Sequence, residues 1–251
     1  MPEWLQAGCW GLLAGAALLV GALVGWFVRV SPRWVAGVMA FGSGVLISAL
    51  SFDLMDEAAD RGGLSATLLG FIAGALVYTL GNVALSRYGA KHRKRSGGQQ
   101  PSEADAAGSG LAIALGALLD GIPESMVIGV SLLEGGRVSL VTVAAVFLSN
   151  VPEGLSSSAG MRRAQRSPGY VFGVWGTIAV LSGAAALAGF LAFRGIGAGP
   201  ISATMGVAAG AILAMIIDTM VPESFEGTHD MAGLVTVAGF VAAFALSRWA
   251  E

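Results

Sequence analysis

Residues 109–132 read SGLAIALGALLDGIPESMVIGVSL, an apolar run of 24 residues with two carboxylates, Asp120 and Glu124, in its middle. About 20 mostly apolar residues suffice to cross the hydrocarbon core of a bilayer as a helix. A charged group at the centre of such a helix costs about 2.5–3.5 kcal/mol on insertion scales, so acids there face a pathway or a ligand. The pattern recurs 29 residues later, where LDGIPES (Leu119–Ser125) is answered by LSNVPEG (Leu148–Gly154). The two segments agree in their apolar, polar and Pro-Glu positions.

Working outward, eight apolar runs can be marked, at about 7–28, 34–55, 64–86, 109–132, 138–160, 169–193, 200–222 and 231–249. The expectation is an all-α polytopic membrane protein, one transmembrane domain of eight helices over residues 1–251, with the first run retained rather than removed as a signal. Composition agrees: 55% of residues are hydrophobic and 12% charged, against roughly 25% charged in an ordinary soluble domain. The 38 glycines follow no G-X-Y period and suit helices that approach closely in lipid. A net charge of -2 with one short basic run excludes nucleic acid as a partner. A lone cysteine, Cys9, excludes a disulfide framework and a Cys-rich zinc site, and is read as a packing residue. No run shows the alternation of a membrane β-barrel.

The positive-inside rule orients the chain. With the N-terminus outside, ten of the fourteen Lys and Arg residues fall in inside loops, which places both termini on the outer side of a plasma or inner membrane. Four of those ten lie in residues 88–108, YGAKHRKRSGGQQPSEADAAG. This segment is basic, then polar, then acidic, and is expected to be a flexible cytoplasmic loop with nothing to bury.

Most of the sixteen acids sit in loops or at helix ends. Asp120, Glu124 and Glu153 lie well inside apolar runs, Asp218 lies deep in the seventh, Glu223 ends it, and Asp53 and Glu57 lie near the end of the second. No Lys or Arg falls at comparable depth within the runs. A buried carboxylate without a partner protonates or holds a cation, so a bound cation is expected. Residues four apart share a helix face, which pairs Asp120 with Glu124 and Ser149 with Glu153. Pro123 and Pro152 cannot donate to the carbonyls of Leu119 and Leu148, so a kinked, partly opened helix is expected beside the acids. The seventh run adds DTMVPES (Asp218–Ser224) and the second adds FDLMDEA (Phe52–Ala58), with Asp56, Glu57 and Asp60 read as solvated residues at a mouth. Met126 and Met220 flank the acidic motifs as packing residues or soft ligands.

With these motifs the chain resembles the ZIP (Zrt/Irt-like) family of divalent metal transporters, over nearly its whole length. That family carries a His-Asn-x-Pro-Glu-Gly type motif on its fourth helix and a second Pro-Glu-Gly motif on its fifth. The resemblance implies a ZIP-like bundle in which Asp120 takes the place of the histidine, Gly121 that of the asparagine, and Glu124 and Glu153 are the shared metal-binding glutamates. Ser149 and Asn150 are then the polar pair before the second Pro-Glu, with Asp53, Asp218 and Glu223 toward the mouths of the pathway. This chain departs from the family in having no histidine in any apolar run and no acid in its sixth, Tyr170 to Phe193. One metal position rather than two is therefore expected. Oxygen donors alone suit manganese or iron, while zinc also accepts carboxylates.

The expected function is transport of a divalent cation, zinc, manganese or iron, as substrate with no cofactor, by a protein held in the bilayer and compatible with a homodimer. An intramembrane enzyme is disfavoured: HExxH is absent and both histidines, His92 and His229, lie in loops, although an aspartyl pair of Asp120 and Asp218 fits the spacing. A metal-responsive or structural subunit without flux is the remaining alternative.

Overall fold

A computed structural model of the chain describes residues 1–133, 139–228 and 230–250. Arg137 and His229 lie outside the described residues. The helices are α1 (Glu3–Phe27), α2 (Pro32–Ser48), α3 (Asp56–Gly62), α4 (Leu64–Ser86), α5 (Ser109–Ser131), α6 (Leu140–Arg163), α7 (Pro168–Phe193), α8 (Ala198–Met215), α9 (Val221–Thr228) and α10 (Ala232–Ala250). α2 runs into α3 through a π-helical stretch, Ala49–Met55, and α8 into α9 through another, Ile216–Met220. These joined helices make eight membrane-length spans, in the order expected. The second span reaches Gly62 and the seventh Glu226, several residues beyond the hydropathy boundaries. The extension is physical, because a π turn lets the helix continue past polar residues that interrupt the apolar pattern.

Local chemistry explains the helix ends. Pro32 and Pro168 open α2 and α7, where a missing N–H costs nothing. Ser139 and Ser167 cap α6 and α7 by accepting from Thr142 N and Tyr170 N. Gly63, at φ 92°, reverses the chain between α3 and α4 in a region that side chains avoid.

α1 packs on α6 and α7, α5 on α7, α2 on α10 and α6, and α4 on α8. Glycines set these crossings: a methyl group at Gly154 of α6 would overlap the Leu18 carbonyl of α1, and one at Gly210 of α8 would overlap the Phe71 carbonyl of α4. Without a hydrophobic drive between helices in lipid, such close backbone contact is what holds them. The outward faces are apolar, with Leu69, Leu76 and Leu80 of α4 and Leu234 and Val241 of α10 exposed, as a lipid-facing surface requires. Cys9 is exposed rather than packed, and the buried residues of α1 are alanines and glycines with Leu18.

Residues 88–108 depart from expectation in one respect, that of having nothing to bury. They do bury side chains: Ala90, Arg93, Lys94, Ser96 and Gln100 are all buried. A short 3-10 turn, Ala90–His92, turns the chain back beneath the bundle. α5 and α6 run as helices through Pro123 and Pro152.

Candidate metal centre

α5 brings Asp120 and Glu124 to the middle of the bundle, and α6 brings Glu153. All three are buried, with exposures of 1%, 1% and 4%. The sequence reading expected no base at this depth, and the structure overturns it. Arg93 and Lys94 enter from the 87–108 segment, not from any span.

Arg93 binds Asp120 through both carboxylate oxygens, Nε to Oδ2 at 2.8 Å and Nη2 to Oδ1 at 2.7 Å. Tyr78 of α4 donates to Asp120 Oδ1 at 2.7 Å and accepts from Arg93 Nη2 at 2.8 Å. Arg93 Nη1 donates to Asn82 Oδ1 at 2.8 Å and to the Ala90 carbonyl at 3.2 Å. The Lys94 ammonium stands between the helices, 2.8 Å from Glu153 Oε2 and 3.3 Å from Asp120 Oδ2. Burial works against its charge, but Asp120 and Glu153 more than offset this and hold the ammonium above the ordinary lysine value. Glu124 Oε1 has no hydrogen-bond partner among the described residues. Glu124 also lines a small cavity of about 20 Å³ with Leu46, Leu50, Val127, Thr142 and Ile212.

The segment is fastened by hydrogen bonds to its backbone. Ser157 and Ser156 of α6 donate to the carbonyls of Arg93 and Lys94, and Gln100 Nε2 donates to those of Arg93, Arg95 and Ser157. Glu223 of α9 accepts from Ser96 N at 3.0 Å and from the hydroxyls of Ser96 and Ser156. Arg95 pairs with Glu226 at 2.6 Å. Farther out, Arg166 pairs with Glu103 and donates to the Pro101 carbonyl.

The other expected residues are placed as follows. Asp218, in the second π stretch, is exposed and accepts from Asn82 Nδ2 at 3.0 Å, so it reaches Arg93 only through Asn82. Asp53, in the first π stretch, accepts from Ser247 of α10, away from the central acids. Ser149 donates to its own helix at Val146, and Asn150 donates to the Ala14 carbonyl of α1 at 2.9 Å. Met220 is fully buried in the core. Among the described residues no three Asp, Glu, His or Cys side chains converge into a ready metal cage, since Arg93 and Lys94 occupy the central carboxylates.

Arg93, Lys94, Tyr78, Asn82, Gln100 and the serines Ser156–Ser158 were missed from sequence. One signal was present. Three successive hydroxyls in a span need partners, and Ser156, Ser157 and Ser158 find Lys94, Arg93 and Trp175.

No family model matches the chain. It is 29% identical over 227 residues to an Arabidopsis thaliana protein whose name proposes zinc transport, covering 86% of this chain but 34% of that protein's length. It is 31% identical over 256 residues to the zinc transporter ZIPB of Bordetella bronchiseptica, covering 96% of this chain and 79% of that protein.

Proposed function

The chain belongs to the ZIP family of divalent metal transporters, and from that premise we propose that it carries a divalent cation across the membrane through the centre formed by Asp120, Glu124 and Glu153. The observation that supports this reading most directly is that Asp120 of α5 and Glu153 of α6 meet at one buried position that already holds a cationic group, the Lys94 ammonium. The cation is substrate, zinc or a harder ion such as manganese or iron. The small cavity beside Glu124 supports an approach to the centre from that side. Glu223 and Asp218 lie toward the other side, beneath which the 87–108 segment is docked. We place that segment in the cytoplasm and both termini outside, following the Lys and Arg bias.

The reading is that of a transporter rather than an enzyme. Uptake of zinc and manganese into vesicles reconstituted with the purified protein tests it. Glu124→Gln and Glu153→Gln are expected to abolish uptake while the wild-type chain sustains it. Wild-type rates in both variants would remove the site, and metal binding without any flux would favour a sensing or structural subunit.

A further inference from the structure

Two cations meet the central carboxylates, and they are held differently. Arg93 makes a directed, bidentate grip on Asp120 and is braced by Tyr78 and Asn82. Lys94 Nζ stands as an ion pair 2.8 Å from Glu153 Oε2 and 3.3 Å from Asp120 Oδ2, with no second side chain bracing it as Tyr78 and Asn82 brace Arg93 among the described residues. A guanidinium fork suits a fixed pairing, whereas an ammonium is a compact point charge on a flexible stem. Of the two, Lys94 is the exchangeable cation.

Charge supports the exchange. Three carboxylates, Asp120, Glu124 and Glu153, stand in one buried region with two cations, Arg93 and Lys94. A divalent ion in the place of Lys94 would give Glu124 Oε1 the partner it lacks among the described residues. Lys94 cannot leave alone, because its carbonyl and that of Arg93 are fastened to Ser156 and Ser157. Gly160 lets the segment lie flush on α6: a methyl group there would overlap the Arg95 carbonyl and the Gln100 amide.

We propose that Lys94 is a tethered competing cation, whose ammonium holds the substrate's place between Asp120 and Glu153, so that a divalent ion loads the site only as the 87–108 segment loosens from α6. The inference rests on the carboxylate centre being the transport site. It makes the segment a plug on one side of that site, released by the cargo itself.

The full-length protein in detergent tests this with zinc and manganese as probes. Calorimetric binding is compared among wild type, Lys94→Met, Lys94→Arg, Gly160→Leu and Glu124→Gln. Ala90, fully buried by the docked segment, is replaced by cysteine in a Cys9→Ser background and its maleimide labelling is timed with and without zinc. Lys94→Met and Gly160→Leu are expected to bind zinc about tenfold or more tightly than wild type, with Lys94→Arg near wild type. Zinc is expected to speed labelling at position 90 about tenfold in the parent, whereas in Gly160→Leu labelling is fast without it. Gly160→Leu reports on the plug independently should Lys94→Met not fold. Affinities unchanged or weakened in both Lys94→Met and Gly160→Leu, with binding still lost in Glu124→Gln, overturn the role of Lys94 and leave the site standing. Zinc binding by none of the proteins overturns both.

Discussion

Arg93 clasps Asp120 with two hydrogen bonds, 2.8 and 2.7 Å long, although one residue belongs to a connecting segment and the other to the middle of a membrane span. Both side chains are 1% exposed. Breaking a buried pair by removing one partner strands the other charge, at a cost of about 3–5 kcal/mol. Arg93→Met is therefore expected to lower the thermal midpoint of the purified protein sharply, and Arg93→Met with Asp120→Leu to recover part of it. A midpoint within a degree of wild type in Arg93→Met would show that the pair is not formed.

The glycine crossings make a second prediction. At Gly154 an added methyl group meets the Leu18 backbone, which cannot swing aside. Gly154→Ala is expected to destabilise by about 1–3 kcal/mol through overpacking. Gly176→Ala in α7, where the same methyl group meets nothing within 4 Å, is expected to be neutral or stabilising by up to about 1 kcal/mol. Thermal denaturation of the two variants side by side decides the point. Equal midpoints would remove the close α1–α6 approach.

A third prediction concerns acid. The Arg166 guanidinium, with the N–H groups of Gly108 and Gly110, holds the Glu103 carboxyl well below its ordinary value, at about 2. A depressed carboxylate contributes stability that is complete above its unfolded value and lost as pH falls through the folded one. Anchoring of residues 101–110 is thus expected to persist at pH 5 and to fade between about 4.5 and 2. Amide exchange at Gly108 and Gly110, corrected for intrinsic rates, should lose protection over that window in wild type. In Glu103→Gln protection should be low throughout. Protection identical in the two proteins at pH 5 would count against the anchor.

The donor set makes the fourth. The central side chains offer carboxylate oxygens and neither imidazole nor thiolate, a chemistry that admits harder cations alongside zinc. Manganese in modest excess is expected to inhibit zinc uptake by reconstituted vesicles. Zinc uptake indifferent to a large excess of manganese would point to a more selective site than these oxygens make.

Much of this protein was legible before any tertiary contact was known. Eight spans followed from hydropathy because each helix must satisfy its own backbone in lipid, which makes a span a local property of about 20 residues. The paired LDGIPES and LSNVPEG motifs marked Asp120, Glu124 and Glu153, since acids at such depth are costly enough to stand out. The π stretches around Asp53 and Asp218 were not legible, because a single extra residue per turn leaves no hydropathy signature.

The partner of those acids was a different kind of fact. Read along the chain, KHRKR looked like an orientation signal in a solvated loop, and composition favoured that reading. Only the tertiary structure put Arg93 against Asp120, 27 residues onward, and Lys94 against Glu153. Hydropathy and helical period report what a residue does within its own turn or span. Whether a basic loop stays in water or folds back depends on uncompensated charge and free hydroxyls presented by helices far along the sequence, and that balance exists only once α5 and α6 are side by side.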